Sequence, residues 1–155
     1  MPDDLYDRDI LEWSERQAAA LRHLTSDGKP SDGKHGDVDW LHVIEEIQGV
    51  GTAQLNDVRG IIRQAMMTLV GIHLDWKNVT RPDRLLELDC LLDDAGEQFT
   101  PSMKQRIDLN TMWHRLRERT IRYSSDDPRC HALPDHCPWT LEHFYPDWKY
   151  PAWRR

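Results

Sequence analysis

The feature of the chain that most constrains its fold is an apolar stripe with helical spacing near the middle of the sequence. Steps of three and four residues alternate along the stripe, and further apolar side chains widen it. A face this broad is typical of a central helix that other helices contact from more than one side, so it predicts an all-α bundle. The stripe consists of Leu55, Val58, Ile62, Ala65, Leu69, Ile72 and Trp76, widened by Ile61, Met66 and Val70.

Two helices are predicted before the stripe. Residues 4–24 form an amphipathic pattern, and a short second helix begins after Asp37 or Asp39 and is expected to break or bend at Gly49 and Gly51. The buried side of the first helix is predicted to carry Tyr6, Ile10, Trp13, Ala20, Leu21 and Leu24.

Two more helices are predicted after the stripe. One begins at residue 82 or 83 and ends at Ala95, before Gly96. A long fifth helix begins at Thr100-Pro101, which supply its cap and its first turn. The buried face of this helix is predicted to consist of Leu109, Met112, Trp113, Leu116, Thr120 and Tyr123.

The C-terminal segment, residues 124–155, has a composition that argues against a long helix. It holds five of the nine prolines and three of the seven tryptophans. We therefore expect an extended strap rich in Pro and Trp, packed on a bundle of about five helices. At 155 residues the chain fits a single domain over residues 1–155, with a mobile loop at residues 25–36.

Charge and cysteine usage limit the classes of partner and compartment. The net charge of −7 comes from residues 1–60, which hold 13 acidic and 6 basic residues, and this disfavours a nucleic acid as partner. The chain has no apolar stretch long enough for a membrane span, and its first residues are acidic where a signal peptide would be basic. Three cysteines, an odd number, favour reduced thiols, so we expect a cytoplasmic protein without a membrane partner.

Three motifs resemble those of a known family. They are Leu5-Tyr6-x-x-Asp9-x-x-x-Trp13, Glu45-Glu46-Ile47, and the segment of residues 133–142 with Cys137-Pro138 and Thr140-Leu141-Glu142. With them the chain resembles the bacterial family called domain of unknown function 29. The resemblance implies a compact all-helical bacterial protein, and it implies no established chemistry.

A candidate metal site is suggested by His42, Glu45 and Glu46, whose i, i+3 and i+4 spacing places them on one side of a helix. Helical bundles hold metal ions with such side chains when ligands converge from at least two helices, and His73 is a candidate for the second helix. The simpler interpretation is a solvated acidic face that acts as an interaction surface, because the repeated Glu-x-x-His elements of di-iron bundles are missing.

His73 and Asp9 each lie beside an apolar face. His73 could be a ligand or a general base, but a core histidine whose nitrogens are bonded by neighbours is the simpler prediction. A carboxylate such as that of Asp9 is costly to bury unless it is bonded, so we expect it to form a structural hydrogen bond.

A second group of metal-ligating residue types, Cys130, His131, His136 and Cys137, could in principle bind zinc. The spacing does not match familiar zinc modules, and adjacent Cys-His pairs chelate one ion poorly. The alternative is that Cys137 is buried against Pro138 and Trp139 as a small apolar side chain.

The local basic patch consists of Arg115, Arg119 and Arg122, which share one flank of the predicted fifth helix. It could bind phosphate groups or an acidic protein partner. A helix-turn-helix pattern and stacking aromatics between the arginines are missing, so nucleic acid is the weaker choice.

No catalytic motif, phosphate-binding loop or cofactor signature is recognised in the sequence, so enzymatic activity is left open. We therefore predict a protein-interaction module that uses the two charged surfaces, and its partner could be a second copy of the chain in a homo-oligomer. A metal-dependent enzyme or metal-binding bundle centred on His42, Glu45 and Glu46 is the alternative. Nucleic-acid binding through the arginine flank is the second alternative.

Overall fold

The computed structural model describes residues 4–26, 38–74, 82–124 and 126–144. These residues form α-helices, short 3-10 helices and turns, without a β-strand among them, and the predicted all-α fold class with about five helices is confirmed. Two compact units are distinguished: Met1–Asp57 with Thr100–Lys104, and Val58–Phe99 with Gln105–Arg155. The single domain over residues 1–155 stays a prediction. Within the described ranges, no helix has the length and apolar character needed to cross a membrane.

The first unit contains α1 (Leu5–Arg8), α2 (Ile10–Ser26) and the beginning of α3 (Trp40–Leu74). The prediction of one uninterrupted helix over residues 4–24 is wrong, because Asp9 has φ −152° and ψ 81° and separates α1 from α2. The predicted mobile loop, residues 25–36, begins too early, because α2 extends to Ser26. Residues 27–36 lie outside the described residues.

The buried side of α2 differs from the predicted one. Tyr6 is 54% exposed and Leu24 is 68% exposed, whereas the side chains removed from solvent are Leu5, Leu11, Ser14 and Ala18. Two of these residues are small, and small side chains allow a second helix backbone to approach closely. None of the four belongs to the predicted set, so the prediction chose the wrong side.

Gly51 explains why α2 buries small residues. Of the predicted break or bend at Gly49 and Gly51, the break is wrong, because α3 is continuous from Trp40 to Leu74. A Cβ atom at Gly51 would lie 2.8 Å from the Leu11 Cα atom and would also meet the Ser14 hydroxyl. The glycine is therefore required for the close packing of α3 against α2 within the first unit, and it does not end the helix.

The second unit contains the remainder of α3, together with α4 (Pro82–Gln98), α5 (Leu109–Tyr123), α6 (Pro128–His131) and a 3-10 helix at Leu141–Phe144. The predicted apolar stripe of α3 is confirmed for the residues that the structure describes, while Trp76 lies outside them. Buried members of the stripe are Leu55, Val58, Ile62, Ala65, Met66, Leu69, Val70 and Ile72.

The boundaries of α4 and α5 differ from the predicted ones. Helix α4 continues through Gly96 to Gln98. Pro101–Gln105 is a separate 3-10 helix, and α5 begins only at Leu109. The carboxylate of Asp108 caps α5 by accepting a hydrogen bond from the Thr111 N–H at 3.0 Å, which makes it the local start signal.

The described part of the C-terminal segment, residues 126–144, includes two short helical turns and is not extended throughout. Its middle is attached to α5 within the second unit. The Trp113 Nε1–H donates to the Pro134 carbonyl at 2.9 Å, and the rings of Trp113 and Trp139 meet edge to face with centroids 5.4 Å apart. Aromatic side chains therefore hold this part of the segment against α5, as the composition predicts.

Candidate functional site

A groove of about 610 Å³ lies in the second unit between α3 and α5. Its α3 wall consists of Arg63, Met67, Val70, Gly71 and Leu74. Its α5 wall consists of Met112, Arg115, Leu116, Arg119, Thr120 and Tyr123, and Ser124 completes the lining.

Helical periodicity explains why these residues share one surface. On α3 the lining side chains at 63, 67, 70 and 74 follow steps of four, three and four. On α5 those at 112, 116, 119 and 123 follow the same steps. Side chains at these intervals lie on one face of a helix, so each helix contributes a single continuous wall.

The floor of the groove is apolar and partly open to solvent. Val70 and Leu116 are buried, whereas Met67 is 55% exposed and Tyr123 is 82% exposed. Exposed thioether and aromatic side chains are adaptable contact groups at binding surfaces. The position of Tyr123 corrects the prediction that it belongs to the buried face of the fifth helix.

Three arginines bring positive charge to the groove: Arg63 from α3, and Arg115 and Arg119 from α5. Within the described residues, none of the three forms a hydrogen bond or an ion pair with a carboxylate. Guanidinium groups are always charged and offer donors in a planar fork that matches carboxylates. The groove therefore combines an apolar floor with cationic groups available to an incoming anion.

Arg84 of α4 lies near the same stretch of α3, although it does not line the groove. A Cβ atom at Gly71, which lines the groove, would lie 2.7 Å from the Arg84 Nη1 atom. Because Gly71 has no side chain, the Arg84 guanidinium can approach the α3 backbone. This guanidinium adds to the positive charge near the groove.

The structure brings together only part of the predicted basic patch. Arg115 and Arg119 line the groove, whereas Arg122 is exposed and is not part of the lining. The prediction missed Arg63 and Met67, which lie on a different helix. The available signal was the row of α3 residues at 63, 67, 70 and 74, one cation followed by apolar residues at helical spacing.

His42, Glu45 and Glu46 lie in the first two turns of α3, in the first unit, and all three are exposed. Asp39 caps this helix by accepting from the His42 N–H at 3.2 Å, and its other oxygen lies 2.5 Å from the His42 Nδ1 atom. The hydrogen bond and charge of Asp39, aided by Glu45 and Glu46, raise the pKa of His42. The hydrogen bonds from His42 in turn lower the pKa of Asp39. The imidazole therefore has a carboxylate neighbour at the start of α3.

Neither predicted group of metal-ligating residues forms a cluster. His73 is exposed in the second unit, so the prediction of a core histidine is wrong. Across the parts of the chain that the structure describes, there is no group of three or more His, Cys, Asp or Glu side chains that could hold a metal ion. The metal-binding alternative thus has no ligand set in these ranges.

The zinc candidates have different environments, and all three cysteines, including exposed Cys90, are free thiols. Cys130 is fully buried, while His131 and His136 are exposed. Cys137 is only half-buried, and burial raises the pKa of its thiol despite an opposing hydrogen bond from the Trp139 backbone. Cys130, rather than Cys137, is therefore the cysteine that is packed as a small apolar group.

Asp9 forms the predicted structural hydrogen bonds in the first unit. Its carboxylate accepts from the Ser102 backbone N–H, the Ser102 hydroxyl and the Glu12 N–H at 2.8, 2.7 and 3.1 Å. Burial raises the pKa of Asp9, but the hydrogen bonds from Ser102 and Glu12 together outweigh it and leave the pKa below its usual value. A carboxylate whose oxygens are engaged in this way is a structural group rather than a site for a ligand.

Comparison with known structures finds an α-helical protein of unknown function from Rhodospirillum rubrum. The two chains are 23% identical, with a TM-score of 0.69, and the match covers 92% of this chain and 89% of the other. At this identity the likeness concerns the fold alone.

Comparison with curated proteins gives no significant match. The family model described as Domain of unknown function DUF29 matches residues 5–149, a range that includes all three motifs noted in the sequence. Since that range is nearly the entire chain, this protein belongs to the DUF29 family.

Proposed function

We propose that this protein is a bacterial, cytoplasmic protein-interaction module whose groove between α3 and α5 binds an acidic amphipathic helix of a partner protein. The observation that carries the proposal is the convergence of Arg63, Arg115 and Arg119 around an apolar floor. Free thiols at all three cysteines, one of them exposed, support a reducing compartment.

The chemistry of the groove selects this kind of partner. An amphipathic helix binds a groove through apolar side chains at i, i+3, i+4 and i+7, which would contact Met67, Leu116 and Tyr123. Acidic residues beside that stripe would lie near the arginines and pair with their guanidinium groups. Exposed ion pairs contribute on the order of 0.2–1 kcal/mol each, so apolar burial supplies affinity while charge supplies selectivity and association rate.

A defined probe tests the proposal. The probe is a fluorescein-labelled synthetic helix of about 16 residues, with leucines along one face and glutamates on the flanks. Fluorescence polarisation is expected to give a Kd on the order of 1–100 µM at low salt, weakening as ionic strength rises. A matching helix with lysines in place of the glutamates is expected to bind at least tenfold more weakly.

Two charge-reversal variants, one double and one single, locate the binding surface. Arg115→Glu combined with Arg119→Glu is expected to weaken binding of the acidic helix by about tenfold or more, because repulsion replaces attraction. Arg122→Glu reverses one arginine on the same helix outside the groove and is the control, with an effect below about threefold. Equal losses in both, or binding indifferent to salt, would refute the proposed groove.

Nucleic acid is the competing ligand for a basic surface, and duplex DNA is therefore measured in parallel. Binding of DNA with a steep salt dependence that the double variant abolishes, without binding of the acidic helix, would overturn the proposal in favour of a nucleic-acid-binding protein. The apolar floor and exposed Tyr123 instead favour a helix with an apolar face.

A further inference from the structure

The described residues that line a second cavity in the second unit, of about 230 Å³, are almost all apolar or aromatic. Leu69, Val70, Trp113 and Leu133 are buried and form its interior. His73, Pro134, Pro138 and half-buried Trp139 complete the lining nearer the solvent. None of these residues except Val70 contributes to the groove between α3 and α5.

The segment that forms the outer wall of this cavity is attached to α5 by several side chains. Trp113 Nε1 donates to the Pro134 carbonyl, and Arg117 both donates to the Leu133 carbonyl at 3.1 Å and pairs with Asp135 at 3.0 Å. The Cys137 N–H donates to the Asn110 side-chain oxygen at 3.1 Å. A wall attached at both ends of residues 133–137 needs little ordering when a ligand binds, which is the property of a pre-formed pocket.

Size and polarity restrict what the cavity can hold. An apolar cavity of about 150 Å³ accommodates benzene, so about 230 Å³ corresponds to a molecule of roughly nine non-hydrogen atoms. Among the described residues that line it, His73 is the one side chain able to accept a hydrogen bond, because indole nitrogens only donate. Because a neutral imidazole accepts a hydrogen bond at one of its nitrogens, a flat, apolar ligand with one N–H or O–H donor complements this lining.

We infer that this cavity is a binding site for a small neutral aromatic molecule of the indole class, whose ring packs against Trp113 and Trp139 and whose N–H donates to His73. The inference is independent of the proposed groove, since Val70 is the one described residue that lines both sites and the two sites recognise different chemistry.

Indole and benzothiophene are the probes, because the two bicyclic molecules have similar size and only indole carries a donor. Titration of ¹⁵N-labelled protein is expected to shift the side-chain N–H signals of Trp113 and Trp139 and the amide signals of the non-proline residues among 133–139. For a ligand of this size the expected Kd for indole is on the order of 0.1–1 mM.

Replacing His73 tests the proposed hydrogen bond separately from the fit of the ligand to the cavity. His73→Ala is expected to weaken indole by about three- to tenfold while leaving benzothiophene nearly unchanged, because only indole loses a bond. Gln64→Ala, an exposed position on the same helix outside this cavity, is the control and is expected to alter neither affinity.

Two results would overturn the inference. One is the absence of saturable shifts at tenfold the upper end of the expected Kd range, or shifts that cluster away from residues 69–73, 113 and 133–139. The other is an equal loss of affinity for both probes in His73→Ala. Benzothiophene has no donor, so an equal loss would show that indole does not donate a hydrogen bond to His73.

Discussion

The carboxylate of Asp9 accepts hydrogen bonds from both the backbone N–H and the hydroxyl of Ser102, a residue 93 positions later in the chain. The same carboxylate caps α2 through the Glu12 N–H, so one buried side chain both starts a helix and binds Ser102 of the 3-10 helix. Asp9, the aspartate of the N-terminal motif, therefore has a structural role in the fold rather than a role in catalysis or ligand binding.

Replacing this carboxylate with an amide is expected to destabilise the protein. Asp9→Asn would turn one acceptor into a donor that faces the Ser102 N–H or hydroxyl, at a cost of about 1–3 kcal/mol in the free energy of unfolding. Urea denaturation at neutral pH measures this cost. Asp7→Asn, an exposed neighbour, is the control and is expected to change stability by less than about 0.5 kcal/mol. A loss no larger than that of the control would show that the bonds at Asp9 contribute nothing.

The same variant is expected to change the acid sensitivity of the protein. Because the pKa of Asp9 in the folded state lies below the usual value of 3.8, its stabilisation is present above that value and is lost as pH falls through the folded pKa. The stability difference between the wild-type protein and Asp9→Asn should therefore shrink as the pH falls below about 4. Denaturation midpoints across this range test the point, and a constant difference would contradict the lowered pKa.

Two glycines of α3 are expected to respond in opposite directions to the same substitution. Gly51→Ala would drive a methyl group into the Leu11 backbone, costing about 1–3 kcal/mol. Gly49→Ala meets nothing within 4 Å, and in a helix interior the change should stabilise the protein by about 0.5–1 kcal/mol. Thermal unfolding of the two variants measures the signs. Destabilisation by both, or by neither, would argue against close packing of α2 on α3 at Gly51.

The imidazole of His42 is expected to titrate above the usual value of 6.5, because the Asp39 carboxylate bonds and attracts its charged form. Asp39→Asn should return the pKa of His42 toward 6.5, whereas Glu46→Gln, which removes a weaker attraction, should lower it less. Proton NMR of the ring signals measures the pKa in each variant. Equal shifts would contradict the dominant role of Asp39.

A pH dependence of stability follows from the raised pKa of His42. The stabilisation from the Asp39–His42 pair is fully present below pH 6.5 and is lost as pH rises through the folded pKa. His42→Gln should remove this component, and the difference between the two denaturation curves should close on the alkaline side. A stability difference between the wild-type protein and His42→Gln that grows with pH would contradict stabilisation by the Asp39–His42 pair.

Elements governed by local pattern could be predicted from the sequence. The apolar stripe of α3 and the all-α fold class follow from residue spacing, because a helix repeats its contacts every three or four residues. Family membership could also be predicted from short motifs, and the match of the family model to residues 5–149 confirms it. Helix boundaries were harder to predict. Glycine usually disfavours a helix, but Gly51 lies inside α3, where it contacts α2.

The sequence by itself determined the all-α fold class, the apolar stripe of α3 and half of the candidate site, since Arg115 and Arg119 share a face of α5 through helical spacing alone. Only the tertiary structure decided that Arg63 joins them and that Ser102 satisfies Asp9. Periodicity assigns residues to a face of their own helix, but it carries no information about which face of a distant helix packs opposite. That choice depends on close packing between side chains far apart in the chain, so the groove, the aromatic cavity and the buried carboxylate emerge only in the folded molecule.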